Sequence, residues 1–162
     1  MATFEKILEG KILVPVRIRL GRGQFYERKL HAYPECLKWM REEVPKLVSG
    51  RKNSAATPAE QLIERLRQWL SGEEMKKGPM FKEMEFPKDN DVWELKTDDL
   101  RIFGWMYRPK HFIAVRCRYA DHYKEPTKIR NYADDVRTVI AARDALALDG
   151  DKLVKGTFNE LV

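Results

Sequence analysis

The sequence predicts an α+β fold, a small twisted antiparallel sheet with helices packed on it. Three observations carry that prediction. Three short extended runs, Val92–Lys96, Leu100–Tyr107 and Phe112–Tyr119, follow one another with the turn segments TDD (97–99) and RPKH (108–111) between them. Two helical patterns precede this sheet region (92–119), over 33–48 and 57–71, and a third follows it over 132–148. An extended pair around a Gly-rich turn, 11–31, stands before them all. At 162 residues the chain suits one domain, expected over 1–150, with a tail over 151–162.

Each element has a local cause. In the N-terminal hairpin, Val14, Val16, Ile18 and Leu20 alternate with Pro15, Arg17 and Arg19, the period of a half-buried strand. Pro15 lacks an N–H, so its run belongs at a sheet edge or a strand start. GRG at 21–23 supplies the turn. Over 33–48, Pro34 suits a first helical position, apolar residues recur every three to four positions, and Pro45 kinks or ends the helix. The helix over 57–71 opens with Thr57, Pro58 and Glu60, a T-x-x-E capping box, and stops at Gly72. A short strand is expected at Met80–Phe86. The last helix has Asn131 as N-cap and Asp134 and Asp135 in its first turn, where the helix dipole favours acids.

Charge is localised. Residues 101–130 hold eight basic and two acidic side chains, and the remainder of the chain balances at 23 of each. The whole net charge of +6 therefore sits in thirty residues, which points to an anionic partner. Hairpin arithmetic gives this segment two faces. A turn at 108–111 sets Tyr107 opposite Phe112, Trp105 opposite Ala114, Phe103 opposite Arg116 and Arg101 opposite Arg118. One face then carries Ile102, Met106, Ile113, Val115 and Cys117, the expected core. The other carries Arg101, Arg116 and Arg118 with Phe103, Trp105 and Tyr107. Guanidinium groups hold phosphates and aromatic rings stack on bases, so this second face suits RNA. The competing reading puts the aromatics under a helix, with the arginines on its rim.

The strand pair DVWELKTDDLRIFGWMY resembles the Tyr-Glu-Leu-Arg and Tyr-Arg-Val strands of the RelE/HigB/ParE toxin superfamily, phage-borne relatives included. Trp93-Glu94-Leu95-Lys96 stands at the first of these and Leu100-Arg101-Ile102 at the second. FIAVRCRYADHYKEPTK is similar to the third strand and its following loop, and YADDVRTVIAARDAL to the helix after it. The resemblance covers roughly 57–148. It implies a RelE-like fold and a ribosome-dependent mRNA endonuclease that needs no metal or cofactor. Such an enzyme promotes attack of a 2′-hydroxyl on the neighbouring phosphate, with arginine or lysine stabilising charge. Carried over, Arg101, Arg118, His122 and Tyr123 are the catalytic candidates. Arg116, Lys124, Lys128, Arg130, Arg108, Lys110, Trp105 and Tyr107 would bind RNA or its phosphates. Tyr119-Ala120-Asp121-His122 and Tyr123-Lys124 depart from the family's His-Gly-Phe and double lysine. An acidic or helix-turn-helix antitoxin is the implied partner, beside RNA and the ribosome. The alternative is a non-catalytic binding protein on the same scaffold, a gyrase inhibitor of ParE type or a phage-encoded inhibitor of another host protein.

Other chemistry finds little support. Three scattered histidines and two cysteines do not form a zinc motif, and GRGQ lacks the Gly-Lys-Ser/Thr of a phosphate loop. His111 falls at a turn and His31 has no partner in sequence. No apolar run approaches a membrane span, and the N-terminus lacks a signal core, so no membrane association is expected. Cys36 and Cys117 read as small core residues in a reduced, cytoplasmic setting.

Overall fold

The computed structural model describes residues 1–51, 53–120 and 132–162. In chain order the elements are α1 (Phe4–Glu9), β1 (Val14–Pro15), β2 (Lys29–Ala32), α2 (Pro34–Glu42), a 3-10 turn (Val44–Lys46) and α3 (Pro58–Leu70). Then come β3 (Phe81–Glu83), β4 (Trp93–Lys96), β5 (Leu100–Arg108), β6 (His111–Tyr119), α4 (Tyr132–Ala145) and α5 (Phe158–Leu161). The fold is α+β, built on one six-stranded sheet in the order β1-β2-β6-β5-β4-β3.

The sheet is mixed rather than antiparallel, because β2 runs parallel to β6, pairing Lys29 with His111 and Ala32 with Ala114. Hairpin turns reveal antiparallel neighbours from sequence. A parallel pair separated by two helices and three strands leaves no local mark. Pro15 lies on the edge strand β1, as its missing donor requires, but the strand is only two residues long. The rest of the expected hairpin is irregular chain around Gly23, which takes φ 78°. Pro45 ends α2, and the chain continues as the 3-10 turn. The Thr57–Glu60 capping box opens α3.

Both faces of the sheet are covered. Ile102, Met106, Phe112 and Cys117 pack beneath α2 and α3, with Cys36, Met40, Leu62, Leu66 and Trp69. Phe103, Trp105 and Ile113 pack beneath α1 and α4, with Ile7, Val136 and Val139. Each large apolar side chain buried this way contributes roughly 1.5–3 kcal/mol. Within β5–β6 the expected register holds at Arg101–Arg118 and Phe103–Arg116 and then shifts. A bulge at Phe103/Gly104 leaves Val115 over, so Trp105 opposes Ile113 and Met106 opposes Phe112. Ile113 and the extra residue Val115 therefore join the Trp105 face, a correction to the alternation. Helix α1 and the seating of the tail are additional. Leu161 of α5 is buried, and its carbonyl accepts from the Lys110 N–H.

Candidate nucleic-acid interface

Arg101 starts β5, and Arg116 and Arg118 lie near the end of β6. The shared register brings the three to one end of one sheet face, as expected from sequence. The acids that meet them were not anticipated. Glu94 comes from β4 opposite Phe103, and Asp135 comes from the first turn of α4. Arg101 Nε lies 3.1 Å from Glu94 Oε1, and its Nη1 donates to the Thr97 and Leu100 carbonyls at 2.5 and 2.8 Å. Arg116 Nε and Arg118 Nε both lie 3.1 Å from Asp135 Oδ1. Arg116 Nη1 also donates to Thr138 Oγ1 at 3.0 Å.

Both carboxylates are deeply buried, whereas the Arg116 and Arg118 side chains each keep 32% of their surface exposed. Burial pushes the Glu94 carboxyl above the usual carboxylate range, against the opposing pull of Arg101, Lys96 and Lys82. Among the described residues, three guanidinium groups gather around two buried carboxylates, each arginine held by an ion pair. Such a frame presents N–H donors at fixed positions to an oxyanion. Glu94 is the member that sequence reading passed over as a site residue. Its signal was present: a lone acid at the centre of a buried strand, one strand away from Arg101.

The aromatic half of the expected surface is elsewhere. Trp105 is fully buried and donates its indole N–H to the Lys152 carbonyl at 2.8 Å, so it offers no stacking face. Phe103 is fully buried as well, edge-on to Tyr132. These rings lie under α4, the competing reading given above. Tyr107 is half-buried, stacked on Phe4 with centroids 4.7 Å apart, and Arg108 lies 4.0 Å over its ring. Arg108 and Lys110 are exposed at the far end of the hairpin, Arg108 as the last residue of β5 and Lys110 on the two-residue turn, where it takes φ 61°. They are a full strand length from Arg101. His122, Tyr123, Lys124, Lys128 and Arg130 lie outside the described residues.

Parallel pairing gives the other two histidines to each other: His31 Nδ1 is 2.7 Å from His111 Nε2. His111 is thus more than a turn residue, and His31 has a partner eighty residues away. Among the described residues no group of three His, Cys, Asp or Glu could hold a metal ion, and no helix is long and apolar enough to cross a membrane. The chain matches no family model, no curated protein and no solved structure.

Proposed function

We propose that the chain is a RelE/HigB-like toxin, a ribosome-dependent, metal-independent mRNA endonuclease. The observation that carries the reading is the arginine frame: Arg101, Arg116 and Arg118 converge on one sheet face, with two of the three side chains a third exposed. The element order also supports it. Once α1, the short edge strands β1 and β3, and α5 are set aside, a strand, two helices, three consecutive antiparallel strands and a helix remain, the order of the superfamily that the strand motifs resemble.

In this reading the scissile phosphate sits on the arginines. The 2′-oxygen bonds to phosphorus, the bond from phosphorus to the 5′-oxygen breaks, and the new strand end is a 2′,3′-cyclic phosphate. His122 or Tyr123 takes the 2′-hydroxyl proton, and the leaving 5′-oxygen is protonated in turn. Lys124 neutralises charge. An acidic antitoxin segment covering the same face would block phosphate entry.

The test is to express the wild type, Arg101→Ala and Arg118→Ala and map mRNA 5′ ends on translating ribosomes. New ends within reading frames are expected from the wild type, with a loss of about a hundredfold or more in each variant. Arg101→Lys and Arg118→Lys keep a counter-charge for Glu94 and Asp135 but lose the planar fork. They separate lost chemistry from lost folding when melting is measured alongside. Growth arrest with no new RNA ends would rule out the nuclease.

One observation favours the second reading, a non-catalytic binding protein. Asp135 engages two of the three arginines, and α4 covers the aromatics a base would stack on. Inhibition of gyrase supercoiling by purified protein would then identify the ParE-type activity. An unaffected gyrase would direct the search to another host protein.

A further inference from the structure

At the end of the β5–β6 hairpin remote from Arg101, a cleft of about 720 Å³ opens between α1, the β1–β2 connection, β2 and the Tyr107–His111 turn. That volume is in the range of pockets that hold small ligands. Five basic and two acidic side chains line it, the acids being Glu5 and Glu27. Arg17, Lys29, Arg108 and Lys110 are exposed around it, and Arg28 is buried in its wall.

Arg28 is the unusual member. It is 7% exposed, and its guanidinium lies over Trp69, 5.2 Å from the ring centroid. Nη1 donates to the Trp69 and Glu73 carbonyls at 3.3 and 2.9 Å. No carboxylate of the described residues forms an ion pair with it; the Glu73 side chain is engaged by Arg67 and Gln24 instead. Its Nε is the one buried side-chain nitrogen or oxygen among the described residues with no hydrogen-bond partner. A buried cation without an acid, carrying an unused donor, is costly unless an anion neutralises it.

The rest of the cleft says what kind of anion fits. His31 Nδ1 and His111 Nε2 are hydrogen-bonded across 2.7 Å, which leaves one nitrogen of each ring outside the pair for a ligand's polar edge. The surrounding cations, Lys29 and Arg17 against His31 and Lys29 and Arg108 against His111, reinforce burial in holding both rings neutral. The local field is therefore positive. Phe4, Leu8, Val16, Leu30 and Leu70 give the cleft an apolar side beside its cations. A bare inorganic anion would leave that side unused.

We propose that this cleft binds a mononucleotide, its phosphate held by Arg28, Arg17 and Lys29 and its base resting on the apolar side. The proposal stands on these residues alone and does not depend on the reading of the Arg101 face.

The experiment titrates the full chain with AMP, adenosine, ribose 5-phosphate and inorganic phosphate by calorimetry, with tryptophan fluorescence as a second signal from Trp69 beside Arg28. AMP is expected to bind at least about tenfold more tightly than each of the other three. The Arg17→Ser/Lys29→Ser variant changes two exposed side chains, so it should melt like the wild type and bind AMP at least about tenfold more weakly. Arg28→Met should abolish binding. Because that change also alters packing on Trp69, the exposed double variant decides. Equal binding of AMP and adenosine, AMP no tighter than inorganic phosphate, no binding at millimolar AMP, or an unaffected double variant would each overturn the assignment.

Discussion

At the scale of single residues, the His31–His111 pair ties stability to pH. Burial and neighbouring cations lower His31 to about 4 and His111 to about 3, while in the unfolded chain both titrate near the ordinary 6.5. Below pH 6.5 the unfolded chain thus binds more protons than the native one. Stability contributed by the neutral pair is complete above pH 6.5 and is lost as pH falls toward 4 and 3. Urea unfolding at pH 7 and pH 4.5 should show a loss on the order of 5 kcal/mol from this pair. The His31→Gln/His111→Gln variant should lose correspondingly less over the same interval; an identical slope would remove the pair as its source. Neither histidine was legible as half of a pair, because eighty residues and a parallel strand contact separate them. Arg101 and Arg118 were legible, because two strands joined by a tight turn fix which residues face each other. Asp135 was read only as a dipole charge. That it also reaches Arg116 and Arg118 depends on where α4 lies across the sheet.

At the scale of elements, the bulge in β5–β6 shows how far alternation carries. It sorted the faces correctly from Arg101 to Phe103, where strand pairing is regular, and failed at Val115 and Ile113, at and beyond the extra residue. Gly104 sits where the bulge presses the two backbones together. A Cβ there would lie 1.9 Å from the Ile113 carbonyl oxygen. Gly104→Ala should destabilise by about 1–3 kcal/mol or more, read as a lower urea midpoint at unchanged slope. A neutral result would mean that the strands are not in this register. Capped and punctuated elements were the most legible: the α3 box, the Pro45 stop and the Pro109-Lys110 turn all act within a few residues. Helix α1 was not read at all. Its six residues bury one, Ile7, and a single buried position makes no periodicity.

At the scale of the whole molecule, a sheet covered on both faces explains why so many aromatics are buried and why the tail matters. Trp69, Phe81 and Phe112 fill one layer, and Phe103 and Trp105 fill the other. The segment after Gly150 closes the assembly. The Lys152 carbonyl takes the Trp105 N–H, Val154 N–H bonds the Met106 carbonyl, and Leu161 enters the core beneath α3. Truncation after Gly150 should therefore lower the melting temperature by about 5–10 °C, as the loss of one core leucine and a few hydrogen bonds implies. An unchanged melt would show the tail to be dispensable. Both cysteines are buried, with Cys36 pushed up to about 12 and Cys117 raised as well, so neither thiol is poised to react in the native chain.

By itself the sequence determined the α+β class, the helices with their own caps and stops, the three strands joined by short turns, and the meeting of Arg101, Arg116 and Arg118. Each of these follows from periodicity or chemistry acting over a few residues. The tertiary structure decided the parallel β2–β6 pairing, the covering of the aromatic face by α4, the acids that hold the arginines, and the cleft around Arg28 and the two histidines. Those depend on which distant segments come together. The physical reason is the same in every case. Burial and charge neutralisation act between neighbours in space, and a linear pattern records only neighbours in sequence.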